Sequence, residues 1–163
     1  MTAALDTSTR VVDARRTLDD YHGQEALKTW LRQDIALWHS GDLRALPMGP
    51  IPIDALTEIC HGAPFDEDHY IFDGGDARMA MQAAERPLCL YGHTHLPAIF
   101  RKVDYHFEGG MPDPDREIVL PLQRGARYLV NVGSIGQPRD GDPRAGYGLL
   151  DADTRELHLF RVP

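Results

Sequence analysis

LCLYGHTH, residues 88–95, is the stretch that decides the fold. Its first four residues form an apolar run with the length of a buried β-strand, and Gly92 ends that run. Two histidines, His93 and His95, follow in the loop. In α/β proteins, loops at the carboxyl ends of strands commonly carry ligand-binding side chains, and imidazole is a frequent metal ligand. The stretch therefore predicts a strand that ends in metal ligands, although the pair alone also fits two exposed loop histidines.

Two further predicted strands end in polar side chains. A short strand over residues 56–60 leads into His61 and a turn that contains glycine and proline. Another strand, over residues 128–132, leads into the turn-rich segment 133–141. Three strands thus end in loops, and the junctions carry histidine, serine, asparagine and arginine.

Three segments together resemble the calcineurin-like metallophosphoesterase superfamily, and within it the small bacterial and archaeal phosphodiesterase branch. They are CHGAPFDEDHY (60–70), YGHTHLPAIF (91–100) and NVGSIGQPRDGDPRAGYGLLD (131–151), in the order and spacing of the family. The resemblance runs from roughly Asp13 to the C-terminus. It implies an α/β fold, the C-terminal part of a metallophosphoesterase-type β-sandwich with mixed sheets flanked by helices.

The resemblance also implies a site for two divalent metal ions. By resemblance, His61 and His93 would bind one ion and His95 would bind the other. Imidazole ligands suit Mn, Fe, Ni, Co or Zn, and the sequence does not choose among these metals. Three residues of the third segment are the candidate substrate contacts: Asn131, Ser134 and Arg139.

The chain departs from the family pattern upstream of His61. The first three motifs of the family, Asp-x-His, Gly-Asp-x-x-Asp and Gly-Asn-His-Asp/Glu, are absent there, together with the N-terminal strands. In the family these motifs supply the aspartate that bridges both ions. We therefore expect residues 1–163 to be a single truncated domain, and the activity of this chain by itself is in doubt.

The implied function is metal-dependent hydrolysis of a small phosphate ester, by a phosphodiesterase or phosphatase that uses a metal-activated water. Two alternatives stay open: a non-catalytic binding or scaffold module, and one half of a split enzyme completed by a partner chain or oligomer. The missing motifs in the same reading frame upstream would favour the enzyme. The same motifs in a co-purifying polypeptide would favour the split enzyme.

Composition indicates a cytoplasmic globular protein. Hydrophobic residues make up 42% and charged residues 26% of the chain, and no apolar run suits a membrane span or a signal peptide. The two cysteines, Cys60 and Cys89, are therefore expected to be reduced core thiols.

A net charge of −8 argues against nucleic acid as a bound partner. Positive charge for an anionic substrate would come from the metal ions, while Arg139 and Arg144 either add to it or pair with nearby aspartates.

The chain has a helical segment at residues 11–46 and a sheet-bearing, site-bearing portion at residues 47–163. Apolar residues recur at three- and four-residue spacings in the first segment. In the second, residues 73–84 are predicted to form a helix with Met79, Ala80 and Ala83 facing inward. Short β-branched or apolar runs over residues 98–163 predict an antiparallel meander. Neither His106 nor His158 has a pattern that suggests metal ligation.

Overall fold

The computed structural model describes residues 49–113 and 118–162. The predicted helical segment at residues 11–46 lies outside the described residues. Within them, no helix is both long and apolar enough to cross a bilayer. The described elements, in chain order, are β1 (Ile51–Pro52), β2 (Thr57–Ile59), α1 (Gly74–Ala83), β3 (Leu88–Tyr91), β4 (Ala98–Val103), β5 (His106–Gly110), β6 (Ile118–Pro121), β7 (Arg127–Asn131), β8 (Ala145–Asp151) and β9 (Glu156–Val162).

Six strands form the first sheet, in the spatial order β1-β2-β3-β7-β4-β5. Its central strands β2, β3 and β7 run parallel, with Thr57 opposite Leu88 and Leu88 opposite Tyr128. The remaining pairs are antiparallel. Because parallel neighbours end at the same edge of a sheet, the loops that follow β2, β3 and β7 lie side by side. These are the three strand ends that the sequence singles out.

Both faces of the first sheet are covered. A second sheet, three antiparallel strands in the order β6-β9-β8, packs on one face, where Leu88 and Val130 contact a cluster that includes Leu157. Helix α1 packs on the other face, where Leu129 joins a cluster that includes Ala80. Neighbouring residues of β7 therefore pack into different cores on opposite faces of the sheet, as the two-residue period of a strand requires. Burial on both faces explains why β3 and β7 are almost continuously apolar in sequence.

Asp73 sets the start of α1. Its carboxylate accepts hydrogen bonds from the backbone N–H groups of Gly75 (2.7 Å) and Asp76 (3.0 Å). These donors have no partner within the helix, so a capping carboxylate satisfies them. The bonds from Asp76 and Gly75 also lower the pKa of Asp73, which keeps the cap ionised. The predicted helix boundaries hold, with Asp73 and Ala84 as the flanking caps.

The buried stripe of α1 differs from the predicted one. Ala77, Ala80 and Met81 face the sheet. The inward prediction is right for Ala80 and wrong for Met79, which is 49% exposed, and for Ala83, which is also exposed. Helix residues at i, i+3 and i+4 share a face, so the observed register brings two small alanines against the sheet and places Met79 on the solvent side.

Residues 98–163 are rich in strands, as predicted, but they do not form one meander. Strands β4, β5 and β7 belong to the first sheet, and β6, β8 and β9 belong to the second. The sequence also fails to predict β5, because Gly109 and Gly110 read as a turn. In the structure Gly109 has φ of 153°, and a Cβ there would lie 2.4 Å from the carbonyl oxygen of Ile99. Glycine is needed in this strand for a close backbone approach, which sequence alone does not distinguish from a turn.

Candidate metal centre

The loops that follow β2 and β3 are joined through their backbones. The N–H of Cys60 donates to the carbonyl of Leu90 (2.9 Å), and the N–H of Gly92 donates to the carbonyl of His61 (2.8 Å). These bonds extend the parallel pairing past the ends of both strands. As a result, His61 and His93 leave the sheet next to each other.

The His-x-His loop has an uncommon backbone conformation. His93 (φ 65°) and His95 (φ 59°) both lie in the left-handed region. Non-glycine residues enter this region at a cost of roughly 1–3 kcal/mol each, and such residues concentrate at functional sites. Thr94, between them, is buried, and its N–H bonds the carbonyl of Gly92 at 2.7 Å. The conformation leaves both histidines partly exposed while Thr94 anchors the loop.

Asn131, at the end of β7, holds this loop in place. Its Nδ2 donates to the carbonyl of Gly92 and to Oγ1 of Thr94, both at 2.9 Å. Its Oδ1 accepts from the N–H of Gly133 at 2.9 Å. The side chain is fully buried. Its polar atoms form hydrogen bonds with the loops that follow β3 and β7, and they do not face a substrate. This geometry favours a positioning role over the predicted substrate contact.

The three predicted metal ligands have two different arrangements. Nε2 of His61 lies 2.8 Å from Nδ1 of His93, with the rings 63° apart. One of these nitrogens carries a proton that the other accepts. His95 instead donates from Nδ1 to the carbonyl of Gln137 at 2.9 Å. Because a carbonyl can only accept, this bond selects the Nδ1–H tautomer of a neutral imidazole, in which Nε2 of His95 carries the lone pair.

The donor chemistry fits a transition-metal ion, but the set is partial. Neutral imidazoles suit such ions, and a backbone carbonyl commonly fixes the tautomer of a ligating histidine, as Gln137 does for His95. Within residues 49–113 and 118–162, however, no group of three or more His, Cys, Asp or Glu side chains is placed to hold an ion. The described chain thus brings the imidazoles of His61 and His93 together and presents a third, His95, on the same loop as His93.

The other described histidines lie beside carboxylates instead. His69 is 3.6 Å from Asp76, and His106 on β5 is 3.4 Å from Glu108. His158 on β9 is 3.6 Å from Glu156. That His106 and His158 are not metal ligands stays a prediction.

The loop after β7 contacts His95 through its backbone. The N–H of Arg139 donates to the carbonyl of His95 (3.2 Å), and Ser134 Oγ accepts from the N–H of Gln137 (3.0 Å). The side chain of Ser134 therefore shapes the turn that presents the Gln137 carbonyl. Arg139 is exposed beside this turn. It is the charged residue among the three predicted substrate contacts, and its charge faces outward.

Ion pairs fix the far end of the same loop. Arg144 pairs with Asp142 at 2.7 Å, which is the pairing that the sequence left open. Asp140 pairs instead with Arg161 of β9, and both side chains are largely buried. Arg161 also donates to the carbonyl of Arg144 at 3.1 Å. The sequence gives no signal for Arg161, because its partner lies in the loop before β8, 21 residues away.

Replacing Asp142 by asparagine is expected to reduce the acid sensitivity of folding. The Arg144 side chain, and secondarily its backbone N–H, lower the pKa of Asp142 from 3.8 to about 2. A carboxyl with a depressed folded-state pKa stabilises the protein above its unfolded pKa and loses that contribution as pH falls from 3.8 through 2. Urea unfolding of both proteins from pH 5 to pH 2 measures the difference. Asp153→Asn, at an exposed turn carboxylate, is the matched control, and an identical pH slope for D142N and wild type would contradict the assignment.

The two thiols lie directly beneath the loops. The sulfur atoms of Cys60 and Cys89 lie 3.6 Å apart as free thiols, with Cys89 buried and Cys60 partly buried; that both are reduced core thiols in the cell stays a prediction. The hydrogen bond with Cys60, followed by burial, raises the pKa of the Cys89 thiol. Burial likewise raises the pKa of Tyr91. The raised pKa values favour the neutral forms of Cys89 and Tyr91, and both side chains belong to the core cluster beneath α1.

The chain is similar to two known proteins. No family model matches the chain. A 75-residue stretch, 46% of the chain, is 33% identical to an uncharacterized protein of Methanocaldococcus jannaschii and spans 28% of that protein. The structure is similar to that of a metallophosphoesterase from Sphaerobacter thermophilus, with 32% identity and a TM-score of 0.66. This likeness covers 83% of the chain and 56% of the solved structure, so the chain spans about half the length of that protein. The predicted resemblance and fold class are thereby confirmed.

Proposed function

We propose that this chain, which has a calcineurin-like metallophosphoesterase fold, serves in the metal-dependent hydrolysis of phosphate esters. The fold and the general family follow from the likeness to the solved metallophosphoesterase. The substrate is a small phosphate ester, either a diester or a monoester. The location that we propose is the cytoplasm, a reducing compartment in which the two thiols would stay free.

One observation carries the proposal. Two imidazole nitrogens meet at 2.8 Å at the ends of adjacent parallel strands, and two histidines of one loop have left-handed φ angles. A purely structural pair of histidines would not need such a backbone, which the buried Asn131 has to hold in place. Arrangements of this kind are typical of ligand sets.

Each residue has a distinct task in this scheme. When bound, divalent ions supply Lewis-acid polarisation of the phosphoryl oxygens and lower the pKa of an attacking water. His61 and His93 provide adjacent nitrogens, and their shared proton must leave before both can act as ligands. Gln137 holds the proton of His95 on Nδ1, away from the ligand side. The exposed Arg139 attracts the anionic substrate against the net charge of −8.

A second candidate function is favoured by the partial ligand set. Because the described residues bring together no group of three or more potential ligands, the chain would bind metal yet need carboxylates from elsewhere for catalysis. It would then be one half of a split enzyme or a non-catalytic binding module. In that case the purified chain binds Zn²⁺ without hydrolysing esters, and a split enzyme gains activity when the completing polypeptide is added.

Metal removal tests the primary proposal. The full chain, loaded with Zn²⁺ or Mn²⁺, is expected to hydrolyse bis(p-nitrophenyl) phosphate, and EDTA is expected to abolish the reaction because the phosphoryl oxygens then lose Lewis-acid polarisation and the attacking water loses its activation. Release of p-nitrophenolate is followed by absorbance. Hydrolysis that persists in EDTA would contradict a metal-dependent mechanism, whereas restoration by added metal supports it.

A further inference from the structure

We propose that two exposed aromatic rings beside the candidate metal centre, Tyr70 and Phe72, bind a nucleobase of the substrate. These two residues are called the aromatic platform below. The inference rests on the proposed function and narrows its substrate class to phosphate esters that carry a nucleobase.

The platform continues outward from the paired histidines. The ring of Tyr70 lies against that of His93, with centroids 3.8 Å apart. Phe72 stacks on Tyr70 at 5.2 Å, with only 2° between the ring planes. His61, in turn, is 4.6 Å from His93. Four rings thus form a continuous path from the nitrogen donors to the surface, so a ligand held by its phosphate at one end reaches the platform with its other end.

Both platform rings are open to solvent. Tyr70 is 38% exposed and Phe72 is 65% exposed, while Ile71 between them is buried in the core. An inward Ile71 directs its two neighbours to the same side, as in an extended strand. An exposed apolar ring loses unfavourable hydration when a flat group stacks on it. The outer ring, Phe72, therefore offers a face for a planar aromatic ligand.

The backbone of the platform is anchored to the start of α1. The N–H of Phe72 donates to Oδ2 of Asp76 at 3.0 Å, at the start of α1. The next residue, Asp73, caps that helix with two hydrogen bonds of its own. Binding surfaces that are already ordered lose less conformational entropy on binding. A fixed pair of parallel rings is better suited to stacking than two mobile side chains.

The surrounding charge favours a nucleobase over a membrane surface. Carboxylates of Asp73 and Asp76 lie within a few residues of the platform, and the chain has a net charge of −8. Anionic lipid headgroups would be repelled by these groups. A nucleobase is neutral, presents a flat π-face, and stacks on aromatic side chains whatever its identity. A phosphate ester that carries a base satisfies both the histidine end and the aromatic end.

Paired probes test the platform. Zn²⁺-loaded full chain is titrated by calorimetry with AMP and with ribose 5-phosphate, which has the same phosphate and sugar but no base. We expect AMP to bind at least about fivefold more tightly, from the stacking of one base on an aromatic side chain. Phe72→Leu should remove this preference and leave ribose 5-phosphate binding unchanged. Tyr105→Leu, at a fully exposed ring on the β4–β5 turn, is the matched control and should bind as wild type.

Two contrary outcomes are distinguishable. Equal binding of both probes by wild type, or an AMP preference that survives in F72L, would overturn the platform and leave the phosphoesterase proposal intact. Binding of neither probe would overturn both, because the phosphate itself would not be held. Since Phe72 is mostly exposed, F72L is expected to fold, and circular dichroism checks this.

Discussion

Replacing His93 by alanine is expected to weaken Zn²⁺ binding by at least about 100-fold, because loss of even an indirect partner of a metal ligand commonly costs 10- to 100-fold. His93 supplies one of the two nitrogens that meet at 2.8 Å. It also lies in ring contact with both His61 and Tyr70, so its removal opens the centre of the site. Isothermal titration calorimetry of the full chain with Zn²⁺ measures the change.

His106→Ala is the matched control for this prediction. His106 is an exposed histidine on β5 and lies beside Glu108. The same substitution there should leave Zn²⁺ affinity as in wild type. Equal losses in H93A and H106A would mean that surface histidines bind the metal non-specifically. Unchanged affinity in H93A would remove His93 from the ligand set.

Replacing Asn131 by alanine is expected to lower the free energy of unfolding by about 2–4 kcal/mol, since it removes three hydrogen bonds that each contribute roughly 0.5–1.5 kcal/mol net. Three partners would be released: the carbonyl of Gly92, Oγ1 of Thr94 and the N–H of Gly133. The same change frees the His93–His95 loop from its left-handed conformation, so Zn²⁺ affinity should fall as well. Urea unfolding and calorimetry on one preparation measure both effects.

Leu129→Ala separates stability from metal binding. Leu129 precedes Asn131 by two residues on β7, is equally buried, and packs in the core beneath α1. Its truncation should cost about 2–5 kcal/mol of stability through the cavity that it leaves. Zn²⁺ affinity of the folded L129A protein should nonetheless stay close to wild type. If N131A loses stability but binds Zn²⁺ like L129A, Asn131 is a core residue without a role in positioning the histidines.

Local sequence patterns predict the strand ends well. The run Leu88–Tyr91 is apolar without interruption and is bounded by Pro87 and Gly92, and the structure has β3 at those bounds. Within the predicted β-rich region 98–163, the segments Ala98–Val103 and Glu156–Val162 are strands β4 and β9. In each case the side-chain pattern is set by neighbours along the chain, which a single sequence displays directly.

The sequence does not indicate which strands pair with each other. Strand β7 pairs with β3 and β4, which precede it by more than 20 residues, and no local pattern specifies those neighbours. The tasks of Asn131 and Arg161 depend on the same long-range placement. Asn131 looks like an exposed strand-end residue in sequence, yet the adjacent β3 loop buries it. In the sequence Arg161 looks like an ordinary polar strand residue, and only the fold shows that it pairs with Asp140.

Crystals of the full chain grown with Zn²⁺ test the central claim most directly. Anomalous diffraction above the zinc edge locates each ion independently of any assumption about ligands. We expect a peak within bonding distance of Nε2 of His61 and Nδ1 of His93, the pair that lies 2.8 Å apart. A structure in which zinc occupies other groups while His61 and His93 keep their mutual hydrogen bond would contradict the assignment of this site as a metal centre.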